Sequence, residues 1–103
     1  MYWQSMYWYN RINMNFDYNL EKDKHLKELR GIGFKEVIKA VKNKQVIVDI
    51  EHFNKIKYPN QRIMVVRIGD YAYAVPYVFD KIRKVKFLKT IYANRKLTAI
   101  YIK

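Results

Sequence analysis

The side chain best suited to proton transfer is His52, which follows a predicted strand and opens the longest polar loop of the sequence. Binding and catalytic residues are concentrated in loops, and an imidazole with an ordinary pKa of about 6.5 exchanges protons near neutral pH. A solvated histidine without a role is the competing interpretation. The other histidine, His25, lies in a predicted helix without a partner nearby in sequence, and we interpret it as structural or exposed.

Three tyrosines alternate along one predicted strand and therefore share one of its faces. They are Tyr71, Tyr73 and Tyr77. On an open sheet, such an aromatic face could stack on unpaired bases of a nucleic acid. Because every sheet buries at least one face, the same tyrosines would form a core if two amphipathic helices covered them. The sequence favours the core and leaves base stacking as the alternative.

Charge is the strongest signal in the composition. The 103 residues include 21 Lys or Arg and 9 Asp or Glu, a net charge of +12, which predicts a polyanionic partner such as RNA, DNA, an acidic protein or an anionic membrane. After residue 80 all charged residues are basic: Lys81, Arg83, Lys84, Lys86, Lys89, Arg95, Lys96 and Lys103. This run predicts a phosphate-binding face, and a solvated edge strand protected by lysines is the alternative.

Several classes of site are excluded or disfavoured by residue type. The chain has no cysteine, which excludes disulfides and thiolate zinc sites, and it lacks His-x-x-x-His spacing, so we expect no metal or cofactor. RNA cleavage by its own 2′-hydroxyl needs only a base, cations that stabilise the phosphorane, and an acid for the leaving 5′-oxygen. Histidine, arginine and tyrosine supply such groups, so the composition permits a metal-free ribonuclease without establishing one.

Two helices are predicted at the start of the domain. Asn19 is a suitable N-cap for the first helix, and Gly31 ends it as a C-cap. The second helix follows Gly33 and carries an apolar stripe at i, i+3, i+4 and i+7. The stripe consists of Phe34, Val37, Ile38 and Val41.

Beyond residue 44 the apolar period changes from helical to alternating. Strands are predicted over residues 45–51, 62–68, 71–79 and 84–92. Gly69-Asp70 predicts a tight hairpin, and Pro76, which has no N–H to donate, predicts an edge position or a bulge. Residues 95–103 fit a short helix or a strand. We therefore predict an α+β domain with two N-terminal helices, a three- to four-stranded antiparallel sheet and a short C-terminal helix.

The first thirteen residues, MYWQSMYWYNRIN, differ in composition from the rest of the chain. They fit neither a secretory signal nor a membrane-spanning helix, which needs about 20 apolar residues. A more ordinary sequence begins at Met14. We therefore treat residues 1–13 as an extension of doubtful status and residues 14–103 as a single domain, and we expect a cytoplasmic protein without a membrane partner.

Three stretches resemble, in order and at matching spacing, one known family. The opening consists of residues 16–22 (FDYNLEK) and 30–34 (RGIGF), the middle of residues 71–78 (YAYAVPYV), and the end of residues 90–98 (TIYANRKLT). They are similar to the BrnT-like toxins of bacterial type II toxin–antitoxin systems, and the spacing agrees from about residue 14 to residue 101. Gly33 stands where those toxins usually have Ser or Thr as the helix cap.

The resemblance implies a RelE/ParE-like fold and a ribonuclease that cleaves cellular RNA to arrest growth. It also implies a cognate antitoxin, usually of the ribbon-helix-helix type, which would cover the basic surface in a toxin–antitoxin hetero-oligomer. Electrostatic attraction between a basic toxin and an acidic antitoxin segment would speed their association.

The toxin hypothesis assigns roles to individual residues. Arg95, which occupies the arginine position of the closing motif, would stabilise the phosphorane, and His52 would transfer a proton. Tyr77 is the candidate proton donor. The phosphate and RNA contacts are assigned to Lys57, Arg62, Lys84, Lys86, Lys89 and Lys96.

Two other functions remain open at the level of sequence. A non-catalytic nucleic-acid-binding or regulatory protein of the same fold would hold RNA or DNA with a steep salt dependence but release no cleavage products. An inhibitor of an acidic protein would bind a single protein target and leave RNA intact.

Overall fold

A short strand precedes the first helix in the computed structural model, which describes residues 16–102. What was predicted for residues 1–13, and the contribution expected of Lys103, therefore lie outside the described residues. The elements are β1 (Phe16–Tyr18), α1 (Leu20–Arg30), α2 (Phe34–Lys42), β2 (Val46–Glu51), β3 (Gln61–Ile68), β4 (Tyr71–Asp80), β5 (Val85–Leu88), β6 (Tyr92–Ala93) and α3 (Arg95–Tyr101).

The predicted order of elements and the predicted sheet are both wrong. The class is α+β, but the described chain begins with β1 rather than with two helices, and the sheet has six strands and is mixed rather than antiparallel. Its order is β1-β5-β4-β3-β2, with β6 pairing with β4 as well, and β1 runs parallel to β5. Three residues show no recognisable period, and their partner strand lies at the far end of the sequence, so local patterns do not reveal β1.

The two helices begin and end where the sequence predicts. Asn19 Oδ1 accepts a hydrogen bond from the Lys22 N–H (2.9 Å) at the start of α1, and Gly31 ends that helix with a left-handed φ of 75°. The start of α2 is capped by Asp23 of α1, which is 7% exposed: its Oδ1 accepts the N–H of Phe34 (2.7 Å). A side chain of α1 therefore caps α2 and fixes the angle between the helices.

One face of the sheet, called the helix face from here on, packs against α1 and α2. Its core combines helix residues with alternate residues of the central strands, namely Leu26, Phe34, Val37, Ala40, Met64, Val66, Val75, Tyr77, Leu88 and Ile91. Tyr77 is 2% exposed, and Tyr73 packs against the same core. The interpretation as core is therefore confirmed for Tyr73 and Tyr77, whereas Tyr71 is half-buried outside this core, with its ring centroid 5.6 Å from that of Tyr73.

The opposite face carries a smaller core that is covered by α3. Its buried members are Ile63, Val65, Ala72 and Ala74. The hydroxyl oxygen of Thr98 accepts the N–H of Ala72 (2.9 Å), and the Asn94 N–H donates to the Ala72 carbonyl (3.1 Å). These bonds attach α3 to the first residues of β4, which settles the ambiguous last segment as a helix.

The predicted fourth strand, residues 84–92, is two strands. Lys84 is in a turn with a left-handed φ of 57°, so it does not share a strand face with Lys86. β5 pairs with residues 77–80 of β4, and β6 pairs with residues 73 and 74. Pro76 lies in the gap between these pairings, on a central strand, because the gap requires no N–H there; its carbonyl accepts the Lys89 N–H (2.8 Å).

Loop 52–60 and turn 81–84 lie at the same end of the sheet, which we call the loop end. The strand register shows this, since Gln61 is opposite Val78 and Asp80 is opposite Val85. Arg83 in the turn donates to Asp17 of β1 and to Asp80 of β4, both at 2.8 Å. The hydrogen bond from Arg83 lowers the pKa of the Asp17 carboxyl, and the pair ties β1 to the turn.

Candidate functional site

Three side chains from adjacent strands meet on the helix face. The Tyr77 hydroxyl donates to Asp49 Oδ2 (2.6 Å), Arg62 Nε donates to Asp49 Oδ1 (3.0 Å), and Arg62 Nη2 donates to the Asp49 carbonyl (3.0 Å). The register explains the meeting, because Arg62 lies opposite Tyr77 while Asp49 is opposite Met64, a residue of the same face. Asp49, Arg62 and Tyr77 are called the Asp49 cluster below.

A second cation lies beside this cluster. Lys86 of β5 places its Nζ 5.4 Å from the centroid of the Tyr77 ring. With Arg62 on β3 and Tyr77 on β4, the two cations occupy strands on either side of the tyrosine, and adjacent strands are about 4.8 Å apart. Arg62 therefore contacts the carboxylate directly, whereas Lys86 lies over the Tyr77 ring on a strand separated from that of Asp49 by β3 and β4.

Burial and hydrogen bonding perturb the groups of the cluster. Burial, reinforced by the hydrogen bond to Asp49, raises the pKa of Tyr77 to about 12. The hydrogen bond to Asp49 also raises the pKa of Arg62. At neutral pH the phenol therefore keeps its proton and the guanidinium keeps its charge.

Exposure separates the members of the cluster that can touch a ligand from the one that cannot. The side chains of Arg62 and Asp49 are 44% and 31% exposed, whereas Tyr77 is 2% exposed. Tyr77 was predicted as a proton donor to the leaving group. Its hydroxyl is instead directed at Asp49, so its effect on a bound ligand would act through that carboxylate.

His52 is buried at 7% exposure, so the interpretation of a solvated histidine is wrong. Its Nδ1 accepts the N–H of Asn54 (3.0 Å), which leaves only Nε2 for exchange of a proton. Its ring contacts Phe53 and Tyr58, with centroid distances of 4.7 and 4.5 Å. His52 is therefore the buried ring against which the two other aromatic rings of loop 52–60, those of Phe53 and Tyr58, are packed.

Arg95 lies apart from the Asp49 cluster. It is the first residue of α3, it is exposed, and α3 packs on the face opposite Tyr77. Ala93, two residues before it, is opposite Tyr73, and the distance along β4 from Tyr73 to Tyr77 is roughly 13 Å at the usual rise of a strand. The structure does not bring Arg95, His52 and Tyr77 together.

The six residues predicted to contact RNA do not form one face. Arg62 and Lys86 belong to or border the Asp49 cluster. Lys57 lies in loop 52–60, with its Nζ 5.4 Å from the Tyr58 ring, and Lys84 lies in the turn at the same end of the sheet. Lys89 follows β5, and its Nζ lies 5.6 Å from the centroid of the Phe87 ring. Lys96 is exposed on α3. Lys57 and Lys84 thus lie at the loop end, and Arg62 and Lys86 lie on the helix face.

Asp49 is the functional candidate that the sequence did not suggest. Its position in an alternating strand, with Val48 and Ile50 on the other face, is typical of a solvent-facing carboxylate. The available signal was the run of apolar residues Ile63–Val66 in the next strand, because a strand without alternation is buried on both faces. Next to such a strand, a carboxylate on either face needs partners.

Two further features of the described residues bear on function. No group of three or more His, Cys, Asp or Glu within residues 16–102 is arranged to hold a metal ion, and no helix in that part of the chain is long and apolar enough to cross a membrane. An open cavity of about 350 Å³ lies between α2 and the β3–β4 turn and is lined partly by Lys39, Asn43 and Arg67. This cavity is at the end of the sheet away from loop 52–60.

Comparison with protein-family models, with curated proteins and with solved structures found no match to this chain. The family therefore remains a resemblance in three motifs, and function has to be inferred from the chemistry of the Asp49 cluster and of the surfaces around it.

Proposed function

We propose that this protein is an endoribonuclease that cleaves cellular RNA without a metal ion. The observation that carries the proposal is the Asp49 cluster, in which a partly exposed carboxylate is held between a guanidinium and a buried phenol, beside the Lys86 ammonium. Cleavage by the RNA's own 2′-hydroxyl requires a base, cations and an acid for the leaving oxygen, and Asp49, Arg62 and Lys86 can supply these groups. The net charge of +12 supports attraction of an RNA chain to this surface.

The reaction assigned to the cluster conserves every proton. The Asp49 carboxylate takes the proton of a ribose 2′-hydroxyl, and the 2′-oxygen bonds to the adjacent phosphorus. Arg62 and Lys86 offset the negative charge that grows on the phosphorane oxygens. The bond from phosphorus to the 5′-oxygen breaks, and that oxygen takes a proton from Lys86. The products are a 2′,3′-cyclic phosphate and a 5′-hydroxyl, after which Asp49 returns its proton to water and Lys86 regains one.

Tyr77 has a positioning role in this proposal. Its hydroxyl fixes one oxygen of Asp49 while Arg62 fixes the other, so the carboxylate faces the ligand in one orientation. His52 has no proton-transfer role here, because its ring is buried and its Nδ1 is already hydrogen-bonded. Arg95 has no role at the reacting phosphate, because it lies on the other face of the sheet.

The resemblance to BrnT-like toxins supports a biological setting for this activity. In that setting the protein is a cytoplasmic toxin that arrests growth by degrading RNA, and a cognate antitoxin neutralises it within a hetero-oligomer. Induced expression in bacteria should then stop growth and shorten cellular RNA, and co-expression of a small ribbon-helix-helix protein from the adjacent gene should restore growth. Unimpaired growth with intact RNA would contradict the toxin assignment.

The cleavage assignment is tested with purified protein and a labelled RNA in EDTA. Asp49→Asn keeps the shape of the side chain but removes the base, so cleavage should fall about 100-fold or more while RNA binding persists. Asp70→Asn is the matched control, because that carboxylate is 99% exposed in the β3–β4 turn. Wild-type cleavage by Asp49→Asn, or no cleavage by the wild-type protein, would refute the assignment.

A non-catalytic RNA-binding protein is the second candidate, and one observation favours it. Both oxygens of Asp49 already accept hydrogen bonds, as expected of a cluster that only stabilises the sheet. Under this alternative the wild-type protein retains RNA with a steep salt dependence but yields no cyclic-phosphate ends. Analysis of the RNA ends after incubation in EDTA therefore separates the two functions.

A further inference from the structure

We propose that Phe53 in loop 52–60 is a stacking platform for an unpaired base, so that the RNA bound by this protein is single-stranded at the loop end. The inference deepens the proposed function and rests on it, because it names the class of RNA that reaches the Asp49 cluster. It is carried by the aromatic group of the loop, the order of the loop backbone and the lysines beside it.

The Phe53 ring is supported on one side and open on the other. It is 82% exposed, yet its centroid lies 4.7 Å from the buried His52 ring, which in turn lies 4.5 Å from Tyr58. An exposed phenylalanine that makes no inward contact rotates freely, whereas this one rests on a fixed imidazole. A base can therefore extend the series of aromatic contacts outward, and such stacking tolerates any base because every base has a π-face.

The loop that carries Phe53 is ordered by its own hydrogen bonds. Asn54 is the centre of this order: its N–H donates to His52 Nδ1 (3.0 Å), and its Oδ1 and carbonyl accept the N–H groups of Lys57 (3.1 Å) and Tyr58 (2.9 Å). The His52 N–H donates to the Gln61 carbonyl (2.9 Å) and closes the loop. Because the platform is already formed, binding does not have to order it.

Two lysines belong to the same loop as the platform. Lys57 lies with its Nζ over Tyr58, 5.4 Å from the ring centroid. Lys55 is 65% exposed and pairs with the equally exposed Glu51 at 3.6 Å, an ion pair that a phosphate can replace because surface pairs contribute little. The loop joins β2 to β3 and leads directly into Arg62. An RNA single strand that stacks on Phe53 therefore meets the protein surface on the side of the Asp49 cluster.

A neighbouring side chain offers a test between stacking and general apolar contact. Ile56 is in the same loop and is 97% exposed. A protein partner docking on the loop end would bury both Phe53 and Ile56, whereas a base gains from a planar ring and not from a branched aliphatic chain. The aromatic group and the flanking lysines favour the base, and protein docking becomes an outcome of the experiment.

The experiment uses full-length protein and a 2′-O-methyl RNA, which cannot be cleaved because it lacks the nucleophile. The probe is a single strand with one 2-aminopurine, whose fluorescence falls on stacking, and the same strand in a duplex is the comparison. Phe53→Leu should weaken single-strand binding about 5- to 100-fold and abolish the quench. Phe53→Tyr should restore both, and Ile56→Ala should behave like the wild type.

The outcomes separate the platform from the proposed function. Binding and quench unchanged in Phe53→Leu, or equal losses in Phe53→Leu and Ile56→Ala, would overturn the platform while leaving cleavage at the Asp49 cluster intact. Equal affinity for the single strand and the duplex would overturn it too. If the wild-type protein neither binds nor cleaves any RNA, the proposed function fails and the platform fails with it. Circular dichroism of each variant confirms that the exposed substitutions leave the fold unchanged.

Discussion

The hydroxyl of Tyr77 is the buried link in the Asp49 cluster, and its removal separates positioning from binding. Tyr77→Phe leaves the ring in the core but deprives Asp49 Oδ2 of its 2.6 Å partner. A hydrogen bond to a charged group contributes about 1 to 3 kcal/mol, so the free energy of unfolding in urea should fall by that amount. Cleavage should slow while RNA affinity stays constant.

Tyr73→Phe is the matched control for this prediction, since Tyr73 lies on the same strand face and packs against the same core. Loss of the Tyr73 hydroxyl should leave both the free energy of unfolding and the rate of cleavage near the wild-type values. Cleavage at the wild-type rate by Tyr77→Phe would show that Asp49 needs no positioning by the phenol.

Alkaline pH gives a second prediction at the scale of this residue. The pKa of Tyr77 is about 12 in the folded protein, above an ordinary value of about 10. Folding therefore favours the protonated phenol, and the resulting stability is fully present below pH ~10 and is lost as pH rises through the folded value. As the pH rises from about 10 to about 12, the free energy of unfolding of the wild-type protein should fall by about 2 to 3 kcal/mol more than that of Tyr77→Phe.

This difference is measured as urea midpoints of both proteins across the alkaline range. If the urea midpoint of Tyr77→Phe fell with pH as steeply as that of the wild type, the raised pKa of Tyr77 would be contradicted. Ionisation of the other tyrosines and of the lysines affects both proteins equally and cancels in the comparison.

The site was partly predictable because its members differ in how directly the sequence marks them. Arg62, Tyr77 and Lys86 were recognised as chemistry-bearing residues, and the fold places them together. Strand alternation does not mark Asp49, because alternation alone is equally compatible with a solvated face. His52 was recognised for its chemistry, but no local pattern shows that the rings of Phe53 and Tyr58 enclose it.

At the scale of elements, the junction of α1 and α2 depends on a glycine that contacts a carboxylate. A Cβ on Gly33 would lie 2.5 Å from Asp23 Oδ1, the oxygen that caps α2 through the Phe34 N–H, and 2.5 Å from Lys27 Cε. Asp23 thus performs the capping that a Ser or Thr at the position of Gly33 could supply, and the two solutions exclude each other sterically.

A double-mutant cycle tests this exclusion. Gly33→Ser alone should cost about 1 to 3 kcal/mol through crowding, and Asp23→Ala alone should cost a similar amount through the lost cap. In the double variant the Asp23 oxygen is gone, and Lys27, which loses its ion-pair partner at 3.5 Å, can move away from position 33. The new serine can then supply the cap, so the combined cost should be smaller than the sum. Urea unfolding of the four proteins measures this coupling, and strictly additive costs would show that the two positions act independently.

The elements were predictable where local signals act and were not where pairing is remote. Asn19 and Gly31 mark α1 because caps satisfy backbone groups within one turn. Pro76 was assigned to an edge or bulge because proline cannot donate a ladder bond, and only the division of the partner strand into β5 and β6 explains its central place. The same division was invisible in the sequence of residues 84–92.

At the scale of the whole molecule, the distribution of charge predicts where RNA runs. Each phosphate contact to a single strand contributes about 0.7 to the slope of log affinity against log salt. Lys57→Gln with Lys86→Gln should therefore reduce the slope by about 1.4, because both residues flank the proposed path. Arg95→Gln with Lys96→Gln, on the other face, should change it no more than Lys22→Gln with Lys24→Gln on α1.

Filter binding of the uncleavable RNA across a salt series gives these slopes, and all three double variants have the same net charge. A large change for the Arg95 pair alone would place the RNA on the face covered by α3. That result would return the phosphorane role to Arg95, as the resemblance implies.

The parallel pairing of β1 with β5 has a consequence for the order of assembly. Phe16 is among the first described residues to leave the ribosome, whereas its partner Lys86 follows it by 70 residues. Contacts between residues so distant in sequence form late, because the chain between them must be closed first. The β3–β4 hairpin and the two helices can form without β1, whereas β1 has no edge to join until β5 lies against β4. β1 therefore joins the sheet as an edge strand only after β5 is in place, and the ion pair of Arg83 with Asp17 secures it there.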